Sequence, residues 1–88
     1  MRSYVLPSFW EAYKKLSQEN RVQARRAYRL WEGNPFHPSL RFKCVNPVDH
    51  IWSLRISRGY RALGIRDGEI VTWFWIGNHD DYDRFVGR

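Results

Sequence analysis

Four side chains carry the chemistry this sequence supports: Lys43, Arg55, Arg61 and His79. An imidazole titrates near neutrality and moves protons, while ammonium and guanidinium groups hold negative charge. His79 follows a strand-forming run closed by Gly77-Asn78, at a rim where loops place reactive groups. Lys43, Ser53 and Arg55 fall at alternate positions of two period-2 segments, on the face opposite Phe42, Trp52, Leu54 and Ile56. Arg61 lies in the next segment with Leu63 and Ile65 on its face. A turn through Gly59 leaves room for a bulge, so its orientation stays open. Convergence of the four would make a concave cationic surface suited to an anionic partner.

Other reactive residues read as structural. His37 and His50 lie in Pro-flanked loops, as turn residues rather than ligands. The three histidines form no metal motif, and Asp80, Asp81 and Asp83 lack the spacing of a calcium loop. The single cysteine, Cys44, excludes an internal disulfide and a Cys-based zinc site, and its place in the alternation turns it inward. Trp73 and Trp75 read as core and sheet packing. Arg21, Arg25, Arg26 and Arg29 form a solvated stripe or a partner surface. No metal or cofactor is expected.

The elements that must position these groups follow from periodicity. A strand over 3–6 precedes Ser8 and Glu11, spaced as a capping box. Phe9, Ala12, Tyr13 and Leu16 make one face of a first helix. After a break at 17–20, Ala24, Ala27, Tyr28 and Trp31 repeat that spacing, and Gly33-Asn34-Pro35 closes the second helix through a left-handed glycine. Strands are expected over 40–45, 51–56, 60–66 and 69–76, joined at Asn46–His50, Ser57–Gly59 and Asp67-Gly68, with a polar tail from His79 to Arg88. The expected fold class is α+β, with the N-terminal strand and helical hairpin packed on one face of a four-stranded antiparallel meander.

Composition bounds the function. With 88 residues, 1–88 is read as a single small domain, and folding at this size buries only roughly 60–65% of the chain surface, so no deep substrate cavity is expected. Apolar content of 43% excludes disorder, and fifteen Lys+Arg against nine Asp+Glu (net +6) point to an anionic partner. No run is long enough for a membrane span and Met1-Arg2-Ser3-Tyr4 begins no signal-peptide core, so a cytoplasmic protein is expected.

Three strings in order, Leu40-Arg41-Phe42-Lys43, Ser57-Arg58-Gly59-Tyr60-Arg61-Ala62-Leu63 and Trp75-Ile76-Gly77-Asn78-His79-Asp80-Asp81-Tyr82-Asp83-Arg84, resemble the RelE/ParE superfamily of type II toxin–antitoxin toxins, above all its RelE-like translational repressors. The likeness covers nearly the whole chain. It implies a bacterial toxin silenced by a cognate antitoxin in a hetero-oligomer, which when free enters the ribosome and cuts mRNA without a metal. For that reaction His79 is the proton-transfer group, because an imidazole titrates near neutrality. The resemblance assigns Arg61 to clamping phosphate and Arg55 to charge stabilisation, and Tyr82 would stack on a base or hydrogen-bond to phosphate. Lys43, Arg41 and Arg58 would bind RNA, with proton transfer the alternative role for Lys43 if its pKa is depressed. The chain departs from the best-known members in having His79 near the place of an arginine and Ser53 where a second strand lysine stands. Asp80, Asp81 and Asp83 would repel a phosphate chain unless paired with Arg84, Arg88 or another cation. Two alternatives stay open: a ParE-like DNA gyrase inhibitor, and a catalytically inactive toxin-like binding module.

Overall fold

A computed structural model gives the structure, which describes residues 1–85. The chain runs β1 (Arg2–Val5), α1 (Pro7–Tyr13), α2 (Gln18–Gly33), a 3₁₀ turn (Pro38–Leu40), β2 (Lys43–Asn46), β3 (Ile51–Ser57), β4 (Tyr60–Asp67), β5 (Ile70–Asn78) and α3 (His79–Tyr82), ending in a second 3₁₀ turn (Asp83–Phe85). The strands order as β1-β5-β4-β3-β2. The fold is α+β as expected: β2 to β5 form the antiparallel meander. The hairpin lies on one face, and the N-terminal strand completes the sheet at its edge, parallel to β5.

The core forms where the helical and strand periodicities meet. Ser17 caps α2 by accepting a hydrogen bond from the Asn20 amide (3.2 Å), so the break before this helix is shorter than the spacing suggested. Ala24 and Ala27 let α2 sit close to the sheet, and Trp31, 1% exposed, fills the space beyond them. Its ring meets Phe42 and Trp73 edge-on, with centroids 5.8 and 5.3 Å away. Leu54, Ile56, Ala62, Val71 and Ile76 complete this side.

Several local expectations give way for identifiable reasons. Pro7, whose fixed φ and missing N–H suit the first position of a helix, starts α1 after Leu6, so Ser8 lies inside the helix. The Ser8 hydroxyl donates to the Phe74 carbonyl (2.7 Å) and no capping box forms with Glu11. Gly33 stays helical, and Asn34, with φ −154°, ends α2 without a left-handed glycine. His37 does act as a turn residue, its Nδ1 accepting from the Ser39 amide (3.2 Å). Arg41 then adopts φ 44°, which breaks the alternation expected over 40–45 and delays β2 to Lys43. Cys44 is therefore exposed, not core filling: β2 is an edge strand with an irregular register between Cys44 and Asn46. Gly68, at φ +59°, makes the β4–β5 turn one residue beyond the expected place.

The helices do not seat flush, and an apolar cleft of about 440 Å³ opens between α1 and α2, walled by Phe9, Trp10, Tyr13, Tyr28 and Trp73. No α1 residue is buried, and Trp10 stands half exposed at this cleft. Among the described residues no helix is long and apolar enough to cross a membrane.

Candidate functional site

The face away from the helices carries the candidate residues at one end. Arg55 and Arg61 are direct cross-strand partners, followed by an irregular register where β3 enters the turn. Arg61 is held there by its own hairpin: Nη1 donates to the carbonyls of Ser57 (2.7 Å), Tyr60 (2.9 Å) and, more weakly, Arg58 (3.4 Å). Its Nε and Nη2 have no hydrogen-bond partner among the described residues. Burial first, then the positive charges of Arg55 and Arg41, hold the Arg61 guanidinium below the usual arginine range, with Tyr82 pulling the other way. It remains protonated at physiological pH.

No carboxylate pairs with Arg55 or Arg61 among the described residues, where ion pairs join only Lys14 to Glu11 and Arg66 to Glu69. Like charges placed directly opposite on neighbouring strands oppose folding. Arg55→Gln is therefore expected to stabilise the fold by about 0.5 kcal/mol, raising the melting temperature by roughly 2–4 °C. Calorimetry on the two proteins checks this; a lower melting temperature would mean the guanidiniums do not strain each other.

The segment after β5 is a built element, not the polar tail expected from its composition. Asn78 caps α3, its Oδ1 accepting from the Asp81 amide (2.9 Å). The His79 amide donates to the Gly59 carbonyl (2.7 Å), fixing the start of α3 to the β3–β4 turn that also holds Arg61. The exposed His79 ring lies against Tyr82 with centroids 4.6 Å apart. His79, Tyr82, Arg61, Arg55 and Arg41 are thus gathered at one end of the sheet. Arg58 sits in the adjoining turn, exposed, and Lys43 faces the same way farther along, opposite Ser53.

Sequence reasoning missed what secures this end. Phe85 turns back onto the sheet, its ring 5.3 Å from Trp75 and 5.5 Å from Phe74, while the Asn46 side chain donates to its carbonyl (3.3 Å). Trp75 belongs to β5 and Asn46 to β2, so the terminal turn spans the strands between them. The face taken as open is consequently closed at its middle, where Ile51, Ser53 and Leu63 are buried. The one available signal was a large apolar residue, Phe85, inside a charged stretch.

Gly77, opposite Arg61, lets the Trp75 ring lie flat on its own strand: a methyl group at Gly77 would stand 2.7 Å from one ring carbon and nearer still to another. Gly77→Ala must push Trp75 aside and loosen the docking of Phe85. A destabilisation of about 1–3 kcal/mol is expected in urea denaturation; an unchanged midpoint would show that Trp75 does not hold the turn.

The acidic residues do not close the site. Asp80 and Asp81 occupy the first turn of α3, where negative charge is favoured, and neither they nor Asp83 pair with Arg84 among the described residues. Arg84 instead lies 5.0 Å over the Phe85 ring, and Arg88 falls outside the described residues. Among the described residues no cluster of three or more His, Cys, Asp or Glu side chains is placed to hold a metal ion.

Comparison with known proteins puts this arrangement in context. The family model described as "ParE-like toxin domain" matches residues 18–84. No curated protein matches the sequence. Among solved structures, the chain is similar to the toxin of a RelB–RelE antitoxin–toxin complex from Methanococcus jannaschii (TM-score 0.73, 13% identity, 93% of this chain and 98% of that one). It is also similar to a YoeB/ParE toxin from Agrobacterium tumefaciens (TM-score 0.67, 16% identity, 90% and 99% covered). A third similarity is to the intact E. coli RelBE toxin–antitoxin complex (TM-score 0.62, 15% identity, 88% and 94% covered). At such low identity these likenesses speak to the fold alone.

Proposed function

Because the chain belongs to the ParE-like toxin domain family, within the RelE/ParE superfamily, we propose that it is the toxin of a type II toxin–antitoxin pair and that it cleaves ribosome-bound mRNA. One observation carries the nuclease reading: two unneutralised arginines face each other at the strand end where α3 brings His79 and Tyr82. That arrangement opposes folding, and a bound phosphate would relieve it.

In this reading the ribose 2′-oxygen attacks the adjoining phosphorus, the O2′–P bond forms and the P–O5′ bond breaks. The products are a 2′,3′-cyclic phosphate and a 5′-hydroxyl. His79 is the proton-transfer group, taking the proton from the 2′-hydroxyl and returning it to the departing 5′-oxygen. The free side of the Arg61 guanidinium and Arg55 stabilise the extra negative charge on phosphorus. Tyr82, against the imidazole, offers a ring to a base or a hydroxyl to the phosphate. Arg41, Arg58 and Lys43 hold the neighbouring backbone by charge. The site of action is cytoplasmic.

The partner is a small antitoxin. The apolar cleft between α1 and α2, with Arg25 and Arg29 among its lining residues, suits an amphipathic segment whose carboxylates meet those arginines. Two of the similar structures are described as RelB–RelE complexes, which supports such a partner. A second reading, DNA gyrase inhibition, is favoured by the ParE-like description of the matching family model and needs no nuclease site.

The deciding experiment adds purified protein to a translation extract and, separately, to gyrase with supercoiled DNA. Cut transcripts without trapped gyrase–DNA complexes are expected. Trapped complexes with intact transcripts would assign the gyrase reading. Absence of both, with no growth arrest on induction, would leave a binding module only.

A further inference from the structure

β2 pairs only with the first part of β3, at Ile51–Ser53, so among the described residues the outer edge of β3 beyond Ser53 has no strand beside it. Gln23 and Arg26 of α2, Ser39 of the 3₁₀ turn, and Arg55, Ile56 and Ser57 of β3 line a crevice of about 170 Å³ there. That is room for several waters, and for a five-atom oxyanion. Its polar lining residues are Gln23, Arg26, Ser39, Arg55 and Ser57, with no carboxylate among them. Neither Arg26 nor Arg55 has a carboxylate partner among the described residues. The Ser39 hydroxyl is already paired with His37 Nδ1 (2.8 Å), so the donor-only groups an anion would meet are the two arginines.

The crevice and the candidate active end share residues. Arg55 lines the crevice and is also the cross-strand partner of Arg61, and the Ser57 carbonyl accepts the shortest of the Arg61 hydrogen bonds. Positive charge therefore continues from Arg61 around the free edge of β3 to Arg26 on the helical side. We propose that this crevice is a phosphate subsite, taking a backbone phosphate of the same single-stranded polynucleotide whose scissile linkage lies at Arg61. The direction of the strand rests on the nuclease reading; the affinity of the crevice for a phosphate group does not.

Arg26 is exposed and stands outside the residues assigned to catalysis, so Arg26→Gln is expected to fold normally. Titration of the ¹⁵N-labelled protein with inorganic phosphate should shift the amides of Gln23, Arg26, Ser39 and Ser57 saturably, and Arg26→Gln should abolish the shifts. A single-stranded oligonucleotide with 2′-deoxy linkages, which cannot be cut by 2′-hydroxyl attack, should bind the variant several-fold more weakly. Its log affinity against log salt should be shallower by roughly 0.7, one phosphate contact on a single strand.

No saturable shift in the crevice, or equal affinity and slope for both proteins, overturns the subsite. So do shifts produced only by a glutamate-rich peptide, which would assign the crevice to a protein partner. The two readings separate cleanly. Transcript cleavage without crevice shifts removes the subsite alone. Phosphate binding lost in Arg26→Gln, in a protein that cuts no transcript, removes the nuclease reading and keeps the phosphate site.

Discussion

His79→Ala is expected to slow mRNA cleavage by about 10²–10⁴-fold, the usual contribution of a positioned acid or base. The imidazole is exposed, and its element is fixed through backbone contacts, the His79 amide on the Gly59 carbonyl and the Asn78 cap on Asp81. Removing the ring leaves those contacts in place. The variant should therefore fold, bind the antitoxin and enter the ribosome while failing at the chemical step. Arg61→Ala should lose about 10²–10³-fold through charge stabilisation, and it also unties the β3–β4 turn whose carbonyls Nη1 gathers. Arg61→Lys separates the two effects: it keeps a charge and loses the fork, so the turn is expected to recover more than the rate does. Cleavage by His79→Ala at the native rate would remove the imidazole from the mechanism.

The largest expected effect on stability is at Trp31. Its ring is 1% exposed and touches the aromatic rings of Tyr28, Phe42 and Trp73, so it joins α2 to the sheet from several directions. Trp31→Ala should cost about 3–5 kcal/mol. At roughly 0.05–0.15 kcal/mol per residue the whole domain has only about 4–13 kcal/mol in hand. The variant should lose about a quarter or more of that margin, its urea midpoint falling sharply, and at the low end of the range it would not stay folded at room temperature. The indole N–H finds no acceptor among the described residues, so the ring stabilises through apolar contact rather than hydrogen bonding. Trp31→Phe is accordingly expected to retain most of the stability. A Phe variant as damaged as the Ala variant in urea denaturation would show that the indole shape, not its apolar area, holds the core.

What the sequence made legible was repetition. Ala24, Ala27, Tyr28 and Trp31 announced the buried stripe of α2, and Trp52, Leu54 and Ile56 the helix-facing side of β3, because several residues repeat one period there. Single events were not legible. One left-handed residue, Arg41, ended the alternation and put Cys44 outside; one proline, Pro7, displaced Ser8 from the cap. The cleft between α1 and α2 depends on how closely two helices seat, which no local pattern encodes.

The candidate site divides in the same way. The shared face of Lys43, Ser53 and Arg55 followed from alternation, and Gly77-Asn78 marked the strand end beside His79. The opposition of Arg55 and Arg61 needed the register, which the irregularity before Ser57 sets. The docking of Phe85 on Trp75 is a contact between an apolar residue in a charged stretch and one strand face, and only the folded chain brings the two together. Tyr82 comes near Arg61 from the end of the short helix α3.

The most direct test of the phosphodiester site is the chemistry of the RNA ends in a translation extract. Mapping transcript 3′ termini at single-nucleotide resolution should find cuts in the ribosome-bound codon, each ending in a 2′,3′-cyclic phosphate, with both features lost in His79→Ala and Arg61→Ala. Full-length transcripts in an extract where translation has nonetheless stopped, or ends bearing a plain 3′-hydroxyl, would contradict it.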